Sequence, residues 1–221
     1  WTLPANVATC LNPNLEYAFV KIGDEYHLMA AGLVESTMKA CHIEDYEVLE
    51  PRVLGSEFEL MQYQHPFLDR KGLVILGDHV TLEGGTGCVH TAPGHGLDDY
   101  EVCRNYPEIP IVVPVDAHGK LTEEAGQFAG LTTEEANKPI AQHLEKIGAL
   151  FALKKIIHQY PHCWRCKKPV LFRATEQWFC SVEDFKDEAV EAIKGVKWIP
   201  GWGEDRIINM VRDRKDWCIS R

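Results

Sequence analysis

A glycine-rich stretch at residues 84–100, GGTGCVHTAPGHGLDDY, places two histidines and two adjacent aspartates within one short segment. Gly84, Gly85 and Gly87 permit positive φ angles and let backbone N–H groups approach a ligand closely. A carboxylate beside an imidazole and an open loop can bind an ammonium group, orient a water molecule or ligate a metal. The stretch therefore predicts a site for a small charged group.

The same residues allow other interpretations. A metal site would draw on both histidines and both aspartates, namely His90, His95, Asp98 and Asp99. The chain lacks the tight His-x-x-x-His or glutamate-bearing helix motif that would support such a site. One aspartate is expected to cap the following helix, which leaves the other free, and His95 is interpreted as a structural imidazole. No Gly-x-Ser-x-Gly elbow or cysteine nucleophile motif occurs, so the pattern favours attack by water.

Strand-rich sequence surrounds this stretch and must position it. Two alternating runs on either side of Gly23 and Asp24 predict a β-hairpin, and residues 30–42 have the apolar spacing of a short helix. Further extended segments are predicted at 45–49, 53–63, 73–77 and 86–92. The first two thirds of the chain are thus expected to be rich in strands.

Two later segments carry helix signals. Thr132 and Glu135 have the spacing of a capping box at the start of a helix, and Pro139 is expected to lie in the first turn of that helix. Ser181 is predicted to cap a second helix, which ends at Gly195.

The composition limits the classes of function. With 33 acidic and 23 basic residues the net charge is −10, which argues against a free-standing nucleic-acid binder because phosphate affinity comes largely from Lys and Arg. No apolar run approaches the roughly 18 residues of a membrane span, and no secretory signal opens the chain, so we expect a cytoplasmic protein. The chain opens at Trp1 and closes with DWCISR, which predicts a fragment of a longer protein. A change to basic, aromatic sequence predicts two parts, 1–157 and 158–221.

Cys163 and Cys166 are the one spaced pair among the eight cysteines. Their spacing is that of half a zinc site, and two ligands alone do not complete one. His158 and His162 are candidates for the remaining ligands, although His162 is adjacent to Cys163 and the geometry disfavours that set. A redox role lacks the expected strand–helix context. We therefore expect no metal held by this chain alone.

Four segments, in order along the chain, resemble one family. The sequence GTGCVHTAPGHGLDDYE at 85–101 resembles the Gly-Thr-Gly-x-Val-His-x-Ala-Pro-x-x-Gly-x-Asp-Asp signature of the editing domain inserted in class I isoleucyl-tRNA synthetases. WTLPAN at 1–6 is similar to the part of the same pocket that follows the family's threonine-rich peptide. YPHCWRCKKPVLFRATEQWF at 160–179 and DWCISR at 216–221 are similar to the segments that return to the catalytic body.

The resemblance implies a fold and an activity. It implies a mixed α/β fold, a β-barrel-like editing domain with peripheral helices, followed by a C-terminal helical return segment. The implied activity is hydrolysis of valine misattached to isoleucine tRNA, and of valyl-adenylate, within an ATP-dependent isoleucine–tRNA ligase. A pocket built for isoleucine excludes the smaller valine only weakly, so a second site must accept valine and reject isoleucine by steric clash.

The resemblance also implies roles for individual residues. Asp99 matches the aspartate that binds the substrate α-ammonium, and His90 matches the histidine that lines the side-chain pocket. Trp1 and Thr2 match the opposite wall, and Thr2 is expected to hydrogen-bond substrate or water. Asp99, His90 and Thr2 form the implied catalytic set, and Asn6 is a further substrate-binding member.

Backbone groups and partners complete this expectation. Gly85 and Thr86 are expected to offer N–H groups to the ester oxygen as negative charge develops. No general base is assigned, and water activated by the terminal ribose hydroxyl stays open. The implied partners are a tRNA acceptor end carrying valine and the rest of the synthetase chain, with no cofactor for editing. The alternatives are a valyl- or leucyl-tRNA synthetase editing domain, a tRNA-end docking module without its own catalysis, and a metal hydrolase.

Overall fold

The structure, a computed structural model, describes residues 1–154, 157 and 159–220. It divides into two compact units, residues 1–174 and residues 175–221. The division predicted from composition, between 157 and 158, falls inside the first unit and stays a prediction.

Two four-stranded sheets form the frame of the first unit. Its strands, in chain order, are β1 (Ala8–Leu11), β2 (Glu16–Ile22), β3 (Glu25–Ala30), β4 (Glu47–Val48), β5 (Val53–Leu54), β6 (Gln62–Gln64), β7 (Lys71–Leu76) and β8 (Val89–Thr91). One sheet has the order β6-β7-β1-β8; in the other, β2 pairs with β3, β4 and β5. The mixed α/β fold is confirmed, and the described sheets are open instead of closed into the expected barrel.

Strand β1 lies at the centre of the first sheet. It pairs in parallel with β7 and antiparallel with β8, where Thr9 lies opposite His90. The hairpin predicted at Gly23 is confirmed, because β2 and β3 pair from Ile22 and Glu25 onward and Gly23 has a φ of 59°. Strand β1 therefore runs alongside His90 of β8.

Three of the predicted extended segments are shorter than expected, and the one at 45–49 is a strand only at Glu47–Val48. A 3-10 turn at Gly55–Phe58 interrupts the segment predicted at 53–63, and Leu60 there has a positive φ of 63°. The segment predicted at 86–92 is extended only in β8, because Gly87 has a φ of 76° and no strand continues through that conformation. Both interruptions reflect local backbone geometry that alternation of residue types does not report.

Three helices belong to the first unit: α1 (Val34–Cys41), α2 (Leu97–Cys103) and α3 (Thr133–Lys146). The short helix predicted over 30–42 is confirmed by α1. The predicted capping box of α3 is also confirmed, since Thr132 Oγ1 accepts the Glu135 N–H and the Glu135 carboxylate accepts the Thr132 N–H. The prediction for Pro139 is wrong, because α3 begins at Thr133 and the proline lies inside the helix.

Helix α2 packs on the first sheet and so fixes the end of the signature segment at 85–101. Val102 and Cys103 of α2 join a buried cluster with Ala8, Cys10 and Ile75 of the sheet. Burial of these apolar side chains is the main force that holds the helix in place.

The second unit contains a strand pair and two helices. These are β9 (Phe179–Ser181), α4 (Lys186–Lys194), α5 (Gly203–Arg212) and β10 (Asp216–Cys218). The predicted end of α4 at Gly195 is confirmed, but the predicted cap is wrong. Ser181 ends β9, and its hydroxyl accepts the N–H of Glu183 in a 3-10 turn that precedes α4. Within the described ranges, no helix is long and apolar enough to cross a membrane.

Candidate active site

The signature segment consists of an exposed glycine loop, strand β8, a buried turn and helix α2. Residues Thr91 to His95 are all buried, whereas Gly84 and Gly85 are exposed. In the turn, the His95 N–H donates to the Ala92 carbonyl at 2.9 Å. The chain therefore reverses within a few residues between His90 and Asp99.

His90 is held by hydrogen bonds at both ring nitrogens. Its Nδ1 lies 2.7 Å from Asn6 Nδ2, and its Nε2 lies 3.1 Å from Thr2 Oγ1. Burial lowers the pKa of His90 to about 4, and the nearby charge of Asp99 opposes this shift only in part. The ring is thus neutral at pH 7.

Asp99 lies in the first turn of α2 and faces back toward the buried turn. Its Oδ2 accepts the Ala92 N–H at 2.8 Å. Gly96 occupies the N-cap position without a side-chain cap, so the expectation that Asp98 or Asp99 caps the helix is wrong. Across the described part of the chain, Asp99 Oδ1 accepts no hydrogen bond. This half-buried carboxylate therefore keeps one oxygen for a ligand.

Asp98 has a different environment from its neighbour. It is exposed and lines an open depression of about 330 Å³ together with Asp78, His79, Glu101 and Asn105. Asp99 does not line that depression. The two aspartates are adjacent in sequence, but Asp98 lines the open depression whereas Asp99 faces the buried turn.

Trp1 and Thr2 lie against the signature segment through its histidines. The Trp1 ring meets the His95 ring edge to face at 5.0 Å between centroids, and Thr2 contacts His90 as described. Thr2 precedes a single 3-10 turn at Leu3–Ala5 and its hydroxyl makes no cap hydrogen bond there. The Thr2 hydroxyl is therefore not used for capping and can form hydrogen bonds within the candidate site.

His95 is buried in the turn, as the interpretation of a structural imidazole requires. Its Nδ1 donates to the Phe172 carbonyl at 2.9 Å, and burial lowers its pKa. Its Nε2 is buried and finds no partner among the residues described. A second bond, from the Ala174 N–H to the Gly94 carbonyl at 2.8 Å, also ties the turn to the segment at 172–174.

Gly85 and Thr86 are held on the side of the second sheet. The Gly85 carbonyl accepts the Thr37 hydroxyl at 2.7 Å, and the Thr86 carbonyl accepts the Ala30 N–H at 2.8 Å. Their own N–H groups make no hydrogen bond to the described residues, so both amides are free to meet a ligand. No hydrogen bond within that part of the chain links this loop to Thr2, His90 or Asp99.

The structure thus brings together some of the predicted residues and leaves others apart. Thr2, Asn6 and His90 are joined by hydrogen bonds, and Asp99 acts on His90 through its charge. Sequence reasoning missed Tyr63, whose hydroxyl donates to Asn6 Oδ1 at 2.5 Å. A signal for it was Gly72 inside β7, because glycine in a strand marks a close approach.

The Cys163–Cys166 segment forms a tight turn, in which the Lys167 N–H donates to the Cys163 carbonyl and the Cys163 N–H donates to the Lys168 carbonyl. Backbone N–H groups of Cys166 and Arg165 lower the pKa of the Cys163 thiol, and Lys167 turns the chain with a φ of 61°. His162 Nδ1 is bonded to the Lys167 carbonyl, whereas His158 lies outside the described residues. No group of three or more metal-ligating side chains occurs within the described ranges. The two thiols suit Zn²⁺ but supply only half of its usual ligands.

The fold is shared with a solved structure. The chain matches one described as "The crystal structure of GlLeuRS-CP1" with a TM-score of 0.56, over 73% of this chain and 81% of that one. At 14% identity this likeness shows the fold alone. The fold therefore places this chain among mixed α/β modules that share the architecture of that structure.

Sequence comparison then gives the family. The family described as "tRNA synthetases class I (I, L, M and V)" matches residues 12–221, so the chain belongs to the class I tRNA synthetases. It is 58% identical over 221 residues to isoleucine–tRNA ligases of Caldicellulosiruptor saccharolyticus and Moorella thermoacetica, and 55% identical to that of Bacillus cereus. Each match covers the whole of this chain and 24% of the relative.

Proposed function

We propose that this chain is the editing module of an isoleucine–tRNA ligase and hydrolyses the ester that joins valine to isoleucine tRNA. The observation that carries the proposal is Asp99, with one carboxylate oxygen bonded to the Ala92 N–H and the other without a partner in the described residues. A half-buried carboxylate with a free oxygen is suited to an α-ammonium group, because such a charge-assisted bond strengthens away from water.

The reaction divides between binding and positioning. Asp99 holds the ammonium of valine, and the neutral ring of His90 forms a wall against the aliphatic side chain. Water adds to the ester carbonyl carbon, the bond to the ribose oxygen breaks, and that oxygen takes up a proton. Valine and tRNA with a free terminal hydroxyl are released. The free amides of Gly85 and Thr86 are proposed to approach the developing oxyanion when the tRNA end is bound.

His90 does not act as the general base in this scheme. Both of its ring nitrogens already have protein partners, because Nδ1 lies 2.7 Å from Asn6 Nδ2 and Nε2 lies 3.1 Å from Thr2 Oγ1. Asp99 is a poor base while paired with an ammonium ion. We therefore propose that the neighbouring ribose hydroxyl of the tRNA end orients the attacking water.

The remaining partners follow from the same proposal. The module works within an ATP-dependent ligase in the cytoplasm, with the tRNA acceptor end and the rest of the synthetase chain as its partners. The same site hydrolyses valyl-adenylate. Cys163 and Cys166 would hold a structural zinc only together with ligands from outside this chain, and editing needs no cofactor.

The experiment compares the two adjacent aspartates in the full-length protein. Asp99→Asn keeps an oxygen for the Ala92 N–H but replaces the free, charged oxygen by an NH₂ group that cannot accept from an ammonium, so we expect deacylation of valyl-tRNA to fall on the order of 100-fold. Isoleucine activation, measured by ATP–pyrophosphate exchange, should change little. Asp98→Asn is the matched control and should retain deacylation.

Two results would contradict the proposal. Equal loss of deacylation and activation in Asp99→Asn would show a general defect. Full deacylation in that variant would remove Asp99 from substrate binding. A complex with a non-hydrolysable valyl-adenosine analogue adds a structural test, because a docking surface without catalysis would bind the adenosine without contacting the amine.

A further inference from the structure

A continuous set of hydrogen bonds leads from Tyr63 on β6 to Thr2. Tyr63 OH donates to Asn6 Oδ1 at 2.5 Å, Asn6 Nδ2 lies 2.7 Å from His90 Nδ1, and His90 Nε2 lies 3.1 Å from Thr2 Oγ1. Asn6 is only 4% exposed. Buried side-chain networks of this kind restrict each member to one orientation.

The direction of each bond follows from the Ala8 carbonyl. That oxygen can only accept, and it lies 2.9 Å from Asn6 Nδ2, so the amide NH₂ group of Asn6 faces both Ala8 and His90. His90 Nδ1 must then accept, and in the neutral ring the proton is on Nε2. The Thr2 oxygen accepts a hydrogen bond from this Nε2–H group. The hydrogen of the Thr2 hydroxyl is therefore free to be donated to another acceptor.

Tyr63 is built into the sheet to reach Asn6. It lies opposite Gly72 of β7, and a Cβ at position 72 would come within 2.2 Å of the Tyr63 ring. The phenol proton is directed at Asn6, because the Asn6 Oδ1 atom 2.5 Å away can only accept. The glycine gives the ring room to lie flat on the strand.

We propose that Asn6 and Tyr63 are positioning residues that select the Nε2–H tautomer of His90 and thereby make Thr2 a hydrogen-bond donor toward the substrate. Asn6 then contacts no substrate itself, because both of its amide hydrogens and its oxygen have protein partners. The Thr2 hydroxyl recognises an acceptor atom, namely the ester carbonyl oxygen or the attacking water. The catalytic part of this inference rests on the proposed function, and the tautomer part does not.

The first test reads the tautomer directly. Long-range ¹H–¹⁵N spectra of the full-length protein labelled with ¹⁵N-histidine should show His90 protonated on Nε2, with the signals assigned by their loss in His90→Gln. In Asn6→Asp the new carboxylate accepts from the ring, so the proton should move to Nδ1. Tyr63→Phe removes one of the two partners that orient the Asn6 amide and leaves the Ala8 carbonyl, so a minor fraction of the Nδ1–H form should appear. Tyr26→Phe, at an exposed tyrosine, should leave the spectrum unchanged.

The second test separates positioning from binding. Asn6→Asp and Tyr63→Phe should lower kcat for valyl-tRNA deacylation, Tyr63→Phe by roughly tenfold, as expected for one net hydrogen bond, with little change in KM. Isoleucine activation should be retained. A role in folding alone would lower the melting temperature without changing the tautomer.

The outcomes distinguish this inference from the proposed function. If His90 keeps its Nε2 proton in both variants, the inference is wrong, whatever the deacylation rate. If the tautomer changes as expected but the unmodified protein does not deacylate valyl-tRNA, the proposed function fails and the positioning role stands. If the tautomer changes and kcat does not, Thr2 is not the donor that the reaction uses.

Discussion

The two glycine-rich ends of the signature segment are held in opposite ways. The loop at 84–87 is exposed at Gly84 and Gly85 and has positive φ at Gly85 and Gly87. Its carbonyl groups accept hydrogen bonds from Thr37 of α1 and from Ala30 at the end of β3. The turn at 92–96 is buried over most of its length, and its backbone bonds to Asp99 and to the segment at 172–174.

This difference shows that the glycines perform separate tasks. In the loop, Gly85 supplies a backbone conformation that leaves its amide free, and no atom lies within 4 Å of a Cβ added there. In the turn they permit close approach, since a Cβ on Gly94 would lie 2.3 Å from the Val112 carbonyl oxygen. The loop is thus suited to adapt to a ligand, whereas the turn fixes the Asp99 carboxylate that we propose to bind the ligand.

The largest expected effect is at the turn. Gly94→Ala places a methyl group against a backbone oxygen that no side-chain rotation can move, so the free energy of unfolding should fall by about 3 kcal/mol. If Asp99 acts as we propose, displacement of the turn should also abolish deacylation of valyl-tRNA. Denaturant midpoints and deacylation rates of the full-length protein measure both effects. A midpoint equal to that of the unmodified protein would show that the turn is as adaptable as the loop.

The next largest effect is a loss of stability in acid, caused by His90 in β8. The pKa of His90 is about 4 in the fold, so below its unfolded value of about 6.5 the unfolded chain binds more protons than the folded one. The stabilising contribution is complete above pH 6.5 and is lost as the pH falls toward 4, by about 3 kcal/mol at most. Unfolding measured across this range should show a smaller pH dependence in His90→Gln. An unchanged pH dependence would remove His90 as its source, although the lowered pKa values of His65 and His95 also contribute.

The sequence predicts those features that depend on neighbours along the chain. The hairpin at Gly23 and the capping box of α3 follow from residues within a few positions of one another, and both are confirmed. The contact of Tyr63 with Asn6 joins residues 57 positions apart, and it depends on the parallel pairing of β1 with β7. Periodicity within a short segment does not predict which distant strands pair.

In the candidate site, too, local features are predictable from the sequence and long-range contacts are not. The histidine and aspartate of the signature were predicted from residue types, and the resemblance supplied their roles. Their environments depend on packing: the expected helix cap is absent because Gly96 takes the N-cap position and Asp99 bonds to Ala92 instead. The tie between His95 and Phe172 joins segments that are 77 positions apart and has no local signature.

The smallest expected effects are within the loop and separate its conformation from its packing. Gly85 has a φ of 78° with no atom within 4 Å of an added Cβ, so Gly85→Ala should cost about 1 kcal/mol from backbone strain alone. Gly84 has equal space and no positive φ, so Gly84→Ala should change the free energy of unfolding by less than about 0.5 kcal/mol. If the amides of the loop bind the oxyanion, Gly85→Ala should slow deacylation more than it slows isoleucine activation, and Gly84→Ala should slow neither. Equal deacylation rates in the two variants would mean that the loop conformation does not matter to the reaction, and that the buried turn alone organises the site.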